Sequence, residues 1–221
     1  MQDLPSLLDG GSGHSTISLQ GGIALADKGS STMNLSGPAD IVLFNKGDGT
    51  DTVNDNASKL VLSLGNGIAA GDVTLSASGY NLDLSIDGGQ IVLQNYLSPY
   101  ASHANDVLQV FTNTASASDA TQLQSEDISL SAIVSAFRSA QASNPSMTSW
   151  SLSNALSSLS QTAETGQAYG GDVAAYYAMS GTLQNLSVSA AQGALADPSF
   201  GSFQQLHQSL AGSSSSTSLL G

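Results

Sequence analysis

The sequence predicts a β + α protein: an N-terminal parallel β-roll running into an antiparallel β-sheet, followed by an α-helical C-terminal module. Three observations predict it. Glycine and apolar positions recur at a spacing of 18 residues near the N-terminus. From about residue 73 the apolar spacing becomes 2, and from about residue 128 it becomes that of a helix.

The repeat is anchored on Lys46-Gly47-Asp48-Gly49-Thr50-Asp51-Thr52-Val53-Asn54. Gly11, Gly29, Gly47 and Gly65 are spaced by 18, as are Gly13, Ser31, Gly49 and Gly67. Apolar slots read Ile17, Leu35, Val53, then Leu25, Leu43, Val61, then Ala26, Phe44, Leu62. A turn of this size cannot bury its apolar face alone, so stacking is expected, with two short strands and two tight corners per turn. Alternation then marks strands at Val73–Ala77 and Leu82–Ile86. Asp87-Gly88-Gly89 is a hairpin signal before the strand at Ile91–Leu93. A last strand, Val107–Phe111, is expected to close that sheet.

The corner at residues 46–51 is the candidate metal site. Carboxylates and turned backbone carbonyls are the hard oxygen ligands that calcium takes, and glycine permits the sharp turn. The expected ligands are Asp48 and Asp51, with Gly47 and Gly49 freeing the carbonyls, and Asp40 on the opposite corner. Equivalent slots elsewhere carry Ser15, Met33 and Ala69, or Ser12, Ser30 and Asn66, so one or two ions are expected. An ion-free turn with exposed aspartates is the competing reading.

The chain has 221 residues, no cysteine and a formal net charge of −13. Its basic residues are Lys28, Lys46, Lys59 and Arg138. Nucleic acid and anionic membrane surfaces are therefore poor partners, and thiol chemistry is excluded. No apolar run is long enough to span a bilayer, so no membrane insertion is expected. The N-terminus shows neither the basic region nor the apolar stretch of a cleavable secretory signal. The chain is expected to be the C-terminal part of something longer, with an upstream domain as a partner, or a small relative of one.

Ala39-Asp-Ile-Val-Leu-Phe-Asn-Lys-Gly-Asp-Gly-Thr-Asp-Thr-Val53 resembles the entry to the haemolysin-type calcium-binding-related domain of RTX-like secreted bacterial proteins. Asp72–Ile86, Gln90–Tyr96 and Val107–Phe111 are similar to that family's later strands, so the resemblance spans about residues 36–113. Pro38 and Lys46 stand where glycine is usual. The resemblance implies an extracellular, calcium-binding scaffold exported by a type I secretion apparatus.

Residues 1–127 hold fourteen of the seventeen acids. The composition then shifts from Gly/Asp/Val/Leu to Ala/Ser/Gln/Leu. The expected division is a β-roll and β-sheet domain over 1–114, a linker over 115–127, a helical module over 128–211 and a disordered tail over 212–221. Helical stripes are Leu130, Ile133, Val134, Phe137; then Leu152, Ala155, Leu156, Leu159; then Phe203, Leu206, His207, Leu210. Shorter ones run through Val173–Tyr177 and Val188–Leu195.

Enzymatic chemistry finds little footing. His14, His103 and His207 are scattered, no Gly-x-Ser-x-Gly elbow is present, and no histidines are paired for helical zinc. The expected function is non-enzymatic: a secreted bacterial module that binds Ca2+ and folds outside the cell in response to it. Two alternatives are an adhesin or matrix protein, which an exposed patch at Tyr80, Tyr96 and Tyr100 would favour, and an accessory domain of a secreted hydrolase.

Overall fold

The computed structural model describes residues 5–26 and 28–208. The chain begins with β1 (Ser6–Asp9), β2 (His14–Leu19), β3 (Gly22–Leu25), β4 (Ser30–Leu35), β5 (Asp40–Phe44), β6 (Thr50–Asp55) and β7 (Leu60–Leu64). These strands alternate between two sheets. β1, β3, β5 and β7 lie side by side in the first, and β2, β4 and β6 in the second. All the pairings among them are parallel. Parallel neighbours need a crossover connection, and here each crossover is one strand of the opposite sheet.

The stacking period is not a uniform 18. Ser6 pairs with Gly22 and His14 with Ser30, each 16 residues on. Gly22 pairs with Asp40, 18 on, while Asp40 pairs with Leu60 and Thr32 with Thr52, each 20 on. The predicted columns are corrected accordingly. Ile17 stacks on Met33 and then Val53, not on Leu35. Leu43 meets Leu25 as predicted but then Ser63, and Phe44 meets Leu64. Each error is two residues, and side-chain direction in a strand repeats every two. Ile17, Leu35, Val53, Phe44 and Leu62 are therefore all buried despite the shifted register.

Next come β8 (Val73–Ser78), β9 (Asn81–Ile86) and β10 (Gly89–Leu93), an antiparallel meander. Its second hairpin turns on Asp87 and Gly88, both at positive φ (24° and 91°), as a two-residue hairpin loop favours. β10 pairs in parallel with β6, so the meander extends the second sheet. β11 (Val107–Phe111) was expected to close that sheet. It instead joins the first one, parallel to β7.

The C-terminal half is less helical than its periodicity suggested. Where a linker was expected, residues 124–127 belong to β12 (Gln124–Ser129), which pairs with β11. α1 (Leu130–Ser143) forms as predicted, with Ser129 accepting the Ala132 N–H as N-cap and Leu130, Ile133, Val134 and Phe137 buried. β13 (Trp150–Ser151) pairs with β8, and the predicted helix at 152–159 reduces to short 3-10 turns at 152–154 and 156–158. Five serines and an asparagine crowd residues 151–160, and their side chains compete for backbone hydrogen bonds.

β14 (Gln161–Thr165) adds to β12, and β15 (Gln167–Ala168) precedes α2 (Gly171–Ser180) and α3 (Val188–Ala196). β16 (Gln204–Gln205) pairs with β15 where a third helix was predicted. The tail at 212–221 lies outside the described residues.

Among the described residues two apolar cores result. One lies between the sheets and takes in Phe44, Leu62, Val53, Leu84 and Leu93, together with Ile133 and Phe137 of α1. The other joins the outer side of the first sheet (Ile23, Ile41, Leu43, Val61, Phe111) to Val173, Tyr177 and Ala191 of α2 and α3. Every residue of β5 and β7 is consequently buried, Asp40 and Ser63 included, as expected of strands covered on both faces. Among the described residues no helix is long and apolar enough to cross a membrane.

Candidate metal centre

The predicted calcium corner is the turn from β5 to β6. Gly47 adopts φ +86°, a region open to glycine at no steric cost. The Asp48 N–H donates to Asn45 O (3.1 Å), and its Oδ2 accepts the Asn45 N–H at 2.7 Å. The Tyr177 hydroxyl lies 3.0 Å from that oxygen and 3.0 Å from Ala26 O. Asp51 Oδ1 accepts the Ser31 N–H of β4 at 2.7 Å. Both aspartates are buried, so the expectation of solvent-exposed carboxylates in an ion-free turn is corrected.

Glycine is required here by close stacking. A Cβ on Gly49 would collide with Gly29 O, one on Gly29 with Gly13 O, and one on Gly89 with Asp48 O. The stack runs Gly13, Gly29, Gly49, Gly89, and Gln90 N–H donates to Gly49 O at 3.0 Å. The 18-residue spacing sets Gly49 against Ser31; the structure sets it against Gly29, two residues away in the same corner. The other neighbour is the β9–β10 hairpin, not the turn at 64–69.

Asp40 is at the far end of β5, roughly 13 Å of strand away. Its Oδ1 accepts Gly21 N–H and its Oδ2 accepts Gly37 N–H, both at 2.8 Å. Burial pushes its carboxyl above the usual range, while the backbone N–H bonds pull the other way. Gly47, Asp48, Gly49 and Asp51 therefore share one turn, with the two carboxylates bonded to different partners, and Asp40 lies at a separate corner.

That second corner carries a cluster the sequence did not reveal. Asp55, His103 and Asp106 place one ligand atom each within 4.8 Å of one another. His103 Nδ1 is 3.0 Å from Asp106 Oδ2 and 3.6 Å from Asp55 Oδ2. Tyr96 OH donates to Asp106 Oδ2 at 2.6 Å, and its ring stacks on the imidazole with centroids 3.4 Å apart. Asp106 Oδ1 accepts Leu60 N–H at 2.8 Å, and Asp55 Oδ1 accepts Ala57 N–H at 2.9 Å. Burial pushes the His103 imidazole down, but bonds to Asp106 and Asp55 outweigh it and raise it to about 9. Burial pushes Asp106 up, while His103, Tyr96 and the Leu60 N–H together hold it below its ordinary value. Tyr96 is buried, so only Tyr80 and Tyr100 of the expected aromatic patch are exposed.

One signal in the sequence pointed to this corner. Asp106 precedes the apolar strand Val107–Phe111 as Asp40 precedes Ile41–Phe44. Asp40 begins, and Asp106 immediately precedes, a strand of the first sheet, and both take backbone N–H groups from a neighbouring rung. Nothing local marks Asp55 or His103, which sit 48 residues apart.

Two other ionisable groups stand out. Asp127, buried in β12, has Ser125 Oγ at 3.3 Å from its Oδ2. Its carboxyl is raised to about 7, chiefly by burial with a contribution from Glu164, against the Ser125 hydroxyl and Lys59. His207 Nδ1 lies 2.8 Å from Asp172 Oδ2, and its N–H donates to Oδ1 of the same carboxylate. Ser187, which lines the adjoining cleft, already serves as the N-cap of α3.

Comparison of the sequence with protein-family models finds no match, and comparison with curated proteins finds none either.

Proposed function

We propose that this chain is a non-enzymatic scaffold: an RTX-like β-roll that is exported through a type I secretion apparatus and binds calcium weakly outside the cell. The observation that supports the reading best is the corner at Gly47–Asp51. Two buried carboxylates there border a column of glycines packed backbone to backbone. Strands alternating between two sheets with parallel partners are what a roll requires.

Each carboxylate oxygen has two lone pairs, so one accepted N–H leaves room for an ion. In calcium-poor conditions, burying Asp48 and Asp51 as anions is costly. An ion that binds only the folded chain adds stability by linkage. The acidic corner would thus couple folding to the calcium of the exterior.

A second reading has its own support. Asp40, Asp48, Asp51 and Asp106 each accept a backbone N–H, and such bonds staple turns and rungs without any ion. Refolding of the full chain from urea, followed by circular dichroism, separates the two. The calcium reading expects refolding to be promoted by millimolar calcium and suppressed by a chelator. Identical refolding in both conditions would leave the carboxylate-stapled scaffold alone standing.

A further inference from the structure

We propose that Asp55, His103 and Asp106 form a binding site for a zinc-class divalent transition metal, separate from the calcium corner and independent of the calcium reading. The geometry carries this. Zinc bonds to nitrogen and oxygen are about 2.0–2.2 Å long, so ligand atoms around one ion stand roughly 3.0–3.6 Å apart. The Nδ1–Oδ2 separations of 3.0 and 3.6 Å fall in that range.

The carboxylates are also oriented from behind. The Leu60 and Ala57 N–H groups occupy Asp106 Oδ1 and Asp55 Oδ1, leaving both Oδ2 atoms turned to the imidazole. Tyr96 fixes Asp106 by hydrogen bond and the His103 ring by stacking. Bonded neighbours of this kind hold ligands in place around biological metals.

Charge points the same way. The corner holds three carboxylates, since Asp55 acts electrostatically on Asp40, against one imidazole. A divalent ion offsets that excess. An imidazole ligand selects against calcium, which takes oxygen, and for zinc-like ions. His103 Nδ1 faces both carboxylate Oδ2 atoms, so Nδ1 is the nitrogen presented to an ion. A cleft of about 390 Å³ bordered by Asp55, Asn95, Ser98 and His103 gives entry and room for metal-bound water. Because Asp55 ends β6 and Asp106 precedes β11, the ion would tie the second sheet to the first.

The test is calorimetric titration of the full chain with zinc alone, paired with nitrogen NMR of the histidines. One ion per chain is expected, with a rise in melting temperature. The His103 Nδ1 resonance should move in the wild-type protein, which needs no variant to fold. His103→Gln and Asp55→Asn should each weaken binding by at least about tenfold. Substitutions at the exposed histidines, His14→Gln and His207→Gln, should leave it unchanged. Absence of zinc binding at millimolar concentration overturns the proposal. So does a shift confined to His14 or His207, or a response on Nε2 of His103.

Discussion

Replacing Asp127 by asparagine should remove a specific component of the pH dependence of stability. The carboxyl sits in the sheet with 8% of its residue surface exposed, and burial raises it to about 7 from an ordinary 3.8. In the unfolded chain the group ionises as pH passes 3.8, while the folded chain keeps its proton until about 7. Below 3.8 both states are protonated and nothing is lost. Between those values the folded state binds more protons, so its stability falls as pH rises, and the loss levels off above 7.

At about 1.4 kcal/mol per pH unit, the descent amounts to roughly 4 kcal/mol. That figure already includes Glu164, which favours the protonated form, and Ser125 and Lys59, which oppose it; the Lys59 ammonium lies 4.1 Å over the Tyr169 ring. The asparagine side chain stays neutral throughout. Urea denaturation of both chains at pH 4 to 8 in calcium-free buffer isolates the effect, because Asp40, Asp83 and the other carboxylates are common to both. Asp127→Asn should match wild type near pH 4 and exceed it by up to roughly 4 kcal/mol at pH 8. A difference that does not vary with pH, or wild type gaining on the variant as pH rises, would refute the reasoning.

Two further substitutions probe the stacked rungs. Phe44 is fully buried between the sheets, so Phe44→Ala should cost ~3–5 kcal/mol in urea denaturation. A loss below about 1 kcal/mol would place the ring outside the core. Gly49→Ala puts a methyl against the Gly29 carbonyl, which is backbone and cannot swing aside. It should destabilise by about 1–3 kcal/mol or more, whereas Gly47→Ala, with open space around it, should suffer only the strain of its positive φ.

The fold was legible where the physics is local. Alternation and turn residues located β8 to β10, and a four-residue stripe with a serine cap located α1. The rungs were legible in direction and not in register. Residue spacing of 18 fits the turn from β3 to β5, but insertions of two residues at later corners keep the same side chains inward and so leave no trace in hydrophobicity. The helical stripes at 152–159 and 203–210 misled because small polar residues lower helix stability, and because β8 and β15 offered edges on which 150–151 and 204–205 could pair. Asp48 and Asp51 could be singled out because a glycine-rich turn frames them within six residues. The Asp55–His103–Asp106 cluster could not, since it exists only once β11 is placed beside β7 and the loop before it folds over β6.

The proposed calcium site at Gly47–Asp51 can be tested without any variant. Calorimetric titration of the purified chain with calcium tests it most directly, with Asp51→Ala as the partner experiment. Few charged ligands imply weak binding, so a dissociation constant of about 10⁻⁴–10⁻³ M is expected. Also expected are a rise in melting temperature at millimolar calcium, a poor response to magnesium, and loss of both signals in Asp51→Ala. No heat and no thermal shift in the wild-type chain at millimolar calcium would contradict the proposal.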